Sequence, residues 1–298
     1  MSRFQKATKV KSKLRMTMYG PSGSGKTYTA LSIATGIAKE LGGKIAVIDS
    51  EQGSASKYAD RFDFDIAPLP ENSIHEYIKA IKDAEAEGYE VLVIDSLSHA
   101  WKWLVDKVEA IAKGKGHNNK WAAWAEGTPL YEQFMKAILE YNGHVVTTMR
   151  SKTEWVVEQG SDNKNKPKRV GTAPQQRNDT EYEFDIVGKV NSEHWMEVEK
   201  DRTGKFQDRL IEKPGPEFGQ EMIAWLNEGA EPEKDWSTVV PGVKAAIKNR
   251  AQDKIQKWEG FLAKWHKEMP EEIYMEATTL LHDFKESLKQ KMAQEGAA

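Results

Sequence analysis

The chain has 298 residues, of which 39% are hydrophobic and 30% charged, so it holds enough apolar material for a real core. It has no cysteine, which excludes a disulfide framework, a thiolate metal site and a thiol nucleophile. A net charge of -3 means that any nucleic-acid contact must come from local patches. No apolar run is long enough to span a membrane and no apolar signal region opens the chain, so the expectation is a soluble cytoplasmic protein without a membrane partner.

In chain order, residues 1–13 read as a basic arm. Arg3, Lys6, Lys9, Lys11 and Lys13, continued by Arg15, carry no intervening acid. The arm is either solvated or contacts phosphate or another subunit. A strand-like run, Leu14 to Tyr19, follows. Then comes Gly20-Pro21-Ser22-Gly23-Ser24-Gly25-Lys26-Thr27, which fits G-x-x-x-x-G-K-[ST] between a strand and a helix-like segment ending at Gly42-Gly43. Gly23 and Gly25 let the backbone turn without a clashing Cβ. The N–H groups of Ser22 to Thr27 can then converge on an anion at a helix tip. Lys26 supplies a point charge for the β- and γ-phosphates, and Thr27 offers a hydroxyl to Mg²⁺. ATP and Mg²⁺ are the expected cofactors, with Gly20, Ser22, Gly23, Ser24, Gly25, Lys26, Thr27 and Tyr28 as the nucleotide-binding candidates.

Two further apolar runs end in carboxylates, Ile45–Glu51 and Val91–Ser96. Continuous aliphatic runs suit parallel strands buried on both faces, whose carboxyl ends share one crevice. Asp95 is the candidate to hold Mg²⁺ through its water shell. Glu51 is the candidate to orient or deprotonate the attacking water, while Asp49 reads as a local cap. After an amphipathic helix with Leu130, Phe134, Ile138 and Leu139, the strand Gly143–Arg150 brings Thr148 and Arg150 toward the same edge, as γ-phosphate sensors or as plain polar strand ends.

This order of phosphate loop, glutamate-ended strand, Asp-Ser-ended strand, helix, polar-ended strand and basic loop resembles the RecA-like recombinase ATPases. More narrowly, Pro174-Gln175-Gln176-Arg177, Glu181-Tyr182-Glu183-Phe184-Asp185 and Val198–Gly204 resemble the bacteriophage RecA-like single-strand-annealing ATPases, over about residues 10–228. The resemblance implies an α/β RecA-like P-loop NTPase core with a mostly parallel sheet. It implies Tyr58 stacking on adenine, single-stranded DNA as partner, a homo-oligomeric ring or filament with ATP between subunits, and a possible single-strand-binding protein as a further partner. It also implies that Lys200 and Arg202, two apart on one strand face, reach into a neighbour's ATP site; the alternative is surface pairing with Glu199 and Asp201. The recombinases carry an Asn-Gln pair where this chain has Thr148-Met149, so Arg150 or Gln175-Gln176 stands in as the coupling element.

Between Ser161 and Arg177, the basic residues Lys164, Lys166, Lys168, Arg169 and Arg177 face a single acid, Asp162. This is a phosphate-backbone footprint, with Trp155 as a base platform, or else a solvated β-hairpin. Lys113, Lys115 and Lys120, flanked by Trp121 and Trp124, form a second DNA-loop candidate, while Trp101 and Trp103 read as packing residues. Gly229–Glu233 marks a boundary between a core over 14–229 and a C-terminal helical hairpin over 234–298. That hairpin has a helix from Val243 to Trp265 and another from Ile273 to Leu288, with Pro270 between them. The histidines form no ligand cluster. A RecA-fold helicase or loader, and a nucleotide-gated protein-interaction module, are the alternative functions.

Overall fold

The computed structural model describes residues 6–114, 120–159, 165–231 and 236–295. Its first unit ends at Ala230 and its second begins at Glu231. The first is an α/β core with a mostly parallel sheet that carries the Gly20–Thr27 loop. Its strands are β1 (Arg15–Gly20), β2 (Ile45–Asp49), β3 (Asp65–Pro68), β4 (Val91–Asp95), β5 (His144–Gln159), β6 (Asn165–Pro174), β7 (Ile186–Val190), β8 (Trp195–Asp201) and β9 (Leu210–Glu212). They lie in the order β3-β2-β4-β5-β1-β7-β8-β9, with β6 paired to β5. From β3 to β7 the pairing is parallel, and β8 and β9 add antiparallel strands.

Alternation along the strands feeds two apolar layers. Met16 and Met18 of β1 and Val47 of β2 join helices α1 (Lys26–Leu41) and α5 (Pro216–Leu226) on one face. Ile48, Leu92 and Ile94 join α2 (Ile74–Glu87), α3 (Leu97–Gly114) and α4 (Lys120–Leu139) on the other. The stretch read as either a basic DNA loop or a β-hairpin is largely β6, in an antiparallel hairpin with the far half of β5. Two prolines and a glycine among its ten residues weaken the strand signal, and pairing with β5 decides the outcome.

Arg15 does not belong to a solvated arm. It is only 8% exposed on β1, and its guanidinium donates to the carbonyls of Leu14, Leu139, Tyr141 and Gly143. It thereby closes the end of α4 and the turn into β5. Burial lowers its pKa, while Asp185, which accepts from the Arg15 N–H at 3.0 Å, opposes that shift. Lys9 is also docked: it lies 3.8 Å over the Trp225 ring and bonds Glu228 at 2.9 Å.

Among its described residues the second unit contains three α-helices where two are expected: α6 (Val239–Lys248), α7 (Gln252–Trp265) and α8 (Glu271–Glu295). Arg250 takes a left-handed φ of 49°, and Ala251 N–H reaches back to the Ala246 carbonyl, which ends α6. Val243, Ile255, Leu262, Ala277 and Leu281 give this unit a core of its own. No helix among the described residues is long and apolar enough to cross a membrane.

Candidate nucleotide site

Three parallel strands, β1, β2 and β4, deliver their carboxyl ends to one cleft of about 980 Å³. β1 runs into the glycine loop, whose Gly23 and Gly25 adopt left-handed φ values of 78° and 88°. Gly25 is the N-cap of α1, and the first turn of that helix carries no acid of its own, which leaves its N–H groups open to an anion. Lys26 Nζ bonds the Pro21 carbonyl at 2.8 Å. Burial pulls its pKa down; Asp95 and Glu51 oppose this, and Arg150 adds to it.

Asp95, at the end of β4, is 2% exposed. Thr27 Oγ1 donates to its Oδ2 at 2.6 Å, and Thr148 Oγ1 donates to its Oδ1. Burial pushes this carboxyl above its ordinary range. The two hydroxyl bonds act against that, and the charges of Glu51 and Asp49 add to it. Asp49 organises the loop after β2, accepting the N–H of Glu51 at 2.6 Å and of Ala55 at 3.1 Å.

Glu51 enters the cleft from that loop. Arg150 grips it with Nε at 3.0 Å and Nη2 at 2.6 Å. His99 Nε2 is 3.8 Å away, and Ser96 Oγ bonds the carboxylate at 3.4 Å. Burial alone would raise this carboxyl. The Arg150 bonds, with the charges of His99 and Arg150, outweigh it and hold Glu51 below the usual glutamate range. Arg150 is thus the nearest cation to the candidate water-activating acid.

Tyr28 and Tyr58 line the cleft and meet edge to face at 5.9 Å, with Phe62 5.1 Å from Tyr28. Arg61, Ser151, Gln175, His194, Lys213, Gly215 and Pro216 also line it. Sequence reasoning gave no role to Arg61, His194, Lys213 or the Gly215-Pro216 pair. They arrive from the loops after β7 and β9 and from the region after Tyr58, and no spacing pattern announces them.

The residues fit magnesium-bound ATP. The loop has glycines at its left-handed positions, and Ser24 Oγ is buried without a hydrogen-bond partner. The Thr27 hydroxyl and Asp95 carboxylate form an all-oxygen pair of the kind Mg²⁺ takes beside waters and phosphate oxygens. No cluster of three or more His, Asp or Glu side chains that could hold a metal occurs among the described residues.

Lys200 and Arg202 do not line this cleft. Lys200 Nζ bonds the carbonyls of Glu181 and Tyr182 at 2.8 Å each. Arg202 binds the Tyr182 carbonyl and pairs with Asp185 at 3.4 Å. Their partners are not the sequence neighbours: Glu199 binds Tyr19 and Lys189, and Asp201 folds the Thr203–Phe206 turn. Burial lowers the Lys200 pKa, and neighbouring Arg202 adds to the shift.

Of the DNA-contact candidates, Lys113 ends α3 in an exposed position and Lys120 opens α4. Lys115 and Lys164 lie outside the described residues. Trp155 pairs in backbone register with Arg169, Val156 with Lys168 and Glu158 with Lys166. Arg177 is apart from that hairpin, its guanidinium 5.0 Å over the Tyr131 ring. Trp121 is 89% exposed, whereas Trp124 stacks on Trp101 at 5.6 Å.

The family described as AAA domain matches residues 12–212. No curated protein matches the chain. Among solved structures, the KaiC-like protein of the hyperthermophilic archaeon Pyrococcus horikoshii is similar at 15% identity with a TM-score of 0.39, over 67% of this chain and 86% of that one.

Proposed function

The chain belongs to the AAA domain family and carries a P-loop nucleotide-hydrolysing core, and on that premise we propose that it is a Mg²⁺-dependent ATPase that binds single-stranded DNA and promotes annealing or strand exchange in phage-type homologous recombination. The observation that carries the ATPase part is the meeting of the Gly20–Thr27 loop, Glu51 and Asp95 in one cleft. The bound magnesium–nucleotide supplies the electrophilic γ-phosphoryl group. Lys26 and the N–H groups at the tip of α1 neutralise phosphate charge. Thr27 and Asp95 hold the metal side through oxygen. Glu51, kept ionised by Arg150, orients a water and takes its proton.

The DNA part is supported by charge and connectivity. Arg150, which grips Glu51, lies on β5, and β5 continues into the hairpin whose other strand carries Lys166, Lys168 and Arg169. Lys113, Lys115, Lys120, Lys164, Trp155 and Arg177 complete the proposed contact set. Lys200 and Arg202 are the proposed cations for a neighbouring subunit's site. Acting there, they would exchange their Glu181, Tyr182 and Asp185 partners for phosphate, so hydrolysis would depend on assembly.

The test is ATP hydrolysis with and without single-stranded DNA over a salt series. Wild type should be stimulated by DNA, with stimulation fading as salt rises. Lys26→Ala should lose nucleotide binding. Glu51→Gln should keep binding and lose turnover by on the order of 10²-fold or more. Lys168→Ala/Arg169→Ala should keep basal hydrolysis and lose stimulation; a double variant that binds DNA like wild type would remove the hairpin from the interface.

A further inference from the structure

The phosphate loop is tied from outside by a histidine that no motif singles out. His194 lies in the turn between β7 and β8, and its Nδ1 is 3.0 Å from the Ser24 carbonyl in the middle of the loop. A carbonyl only accepts, so Nδ1 carries the proton and donates. The peptide unit is planar and trans, and its C=O and N–H point in opposite directions. Fixing the Ser24 carbonyl on His194 therefore turns the Gly25 N–H away from His194 and fixes that peptide as a donor.

The turn is built to hold the imidazole still. His194 has a left-handed φ of 67°. Asn191 Oδ1 accepts the N–H of Glu193 and of Trp195 at 2.9 Å each, and the His194 N–H donates to the Asn191 carbonyl at 3.2 Å. From the other side, Lys213 N–H donates to the His194 carbonyl at 2.9 Å. Gly25 makes the approach possible: a Cβ there would be 3.2 Å from Nδ1, tighter than an ordinary contact.

We propose that His194 is a positioning residue for the phosphate loop, donating from Nδ1 to the Ser24 carbonyl so that the Ser24–Gly25 peptide stands ready for a phosphate before nucleotide arrives. Preorganised donors cost nothing to order at the moment of binding. The inference rests on the nucleotide-binding reading of the cleft, and its test separates the two.

His194→Gly suits the left-handed backbone and removes the donor. His194→Asn suits the same backbone and keeps an N–H donor. Hydrogen exchange at residues 20–27 is measured without nucleotide, and the ATP dissociation constant by titration calorimetry with Mg²⁺. His194→Gly should speed loop exchange and weaken ATP about tenfold each, the loss of one ordinary hydrogen bond. His194→Asn should stay within about threefold of wild type. Wild-type exchange or wild-type affinity in His194→Gly overturns the proposal, as does a His194→Asn variant impaired as badly as His194→Gly. Should His194→Gly not fold, His194→Asp, which cannot donate when ionised, replaces it in the exchange measurement. If wild type itself fails to bind ATP, the proposed function falls, and the exchange measurement still decides whether His194 holds the loop.

Discussion

Glu51 stays ionised against its burial because Arg150 supplies two donors and a charge. Removing them in Arg150→Ala leaves burial as the dominant influence, so the Glu51 carboxyl should titrate higher than in wild type. Carbon-13 NMR of the side-chain carboxyls reads this directly, and an unmoved Glu51 would contradict it. His144 makes a second titration argument. It is buried, accepts the Leu14 N–H on Nδ1 at 3.1 Å, and burial pushes its pKa down to about 3. Its folded-state pKa lies below the unfolded value, so the neutral ring's contribution to stability is complete above the ordinary histidine range. That contribution is lost as pH falls from about 6.5 toward 3, with a slope of about 1.4 kcal/mol per pH unit. Denaturant unfolding across that range should fall more steeply with decreasing pH in wild type than in His144→Asn, the difference being the His144 share. At this scale the sequence was readable where chemistry demands a local pattern, as in Gly20–Thr27 and at Asp95. It was silent on Arg150 gripping Glu51, on Arg15 becoming buried and on His194 reaching Ser24. Each of those needs partners 99, 124 or 170 residues away in the chain.

Helices α1 and α5 show how an element's packing shapes the cleft. A Cβ on Gly36 would stand 1.9 Å from the Pro216 carbonyl, and one on Gly219 would stand 2.3 Å from the Ile33 carbonyl. The two helices thus meet backbone to backbone, and Pro216 at the start of α5 is itself a wall of the nucleotide cleft. Gly36→Ala must push α5 away. It should cost at least about 1–3 kcal/mol in urea unfolding and weaken nucleotide binding together with stability. The strands and helices around the cleft were legible because their apolar runs and glycine stops are strong signals. The break after α6 was not: Lys248-Asn249-Arg250-Ala251 contains neither glycine nor proline, and an arginine occupies the left-handed position glycine usually takes.

Over the whole molecule, each of the two units has its own apolar centre. Gly260, in the middle of α7, has open space where a Cβ would go. Gly260→Ala should therefore stabilise the second unit by about 0.5–1 kcal/mol through backbone entropy. Hydrogen exchange should slow in α6–α8 and remain unchanged in the sheet; slowing throughout would mean that the units unfold as one. β5 spans functions within the first unit. Its early residues lie in the middle of the parallel sheet, where Thr148 touches Asp95 and Arg150 touches Glu51, and its later residues form one arm of the basic hairpin. Its 16 residues belong to both sheets, and at Glu154 and Trp155 the pairing with β6 shifts register. The residues that hold the two acids of the cleft and the arm of the hairpin thus share one unbroken stretch of backbone that contains neither glycine nor proline.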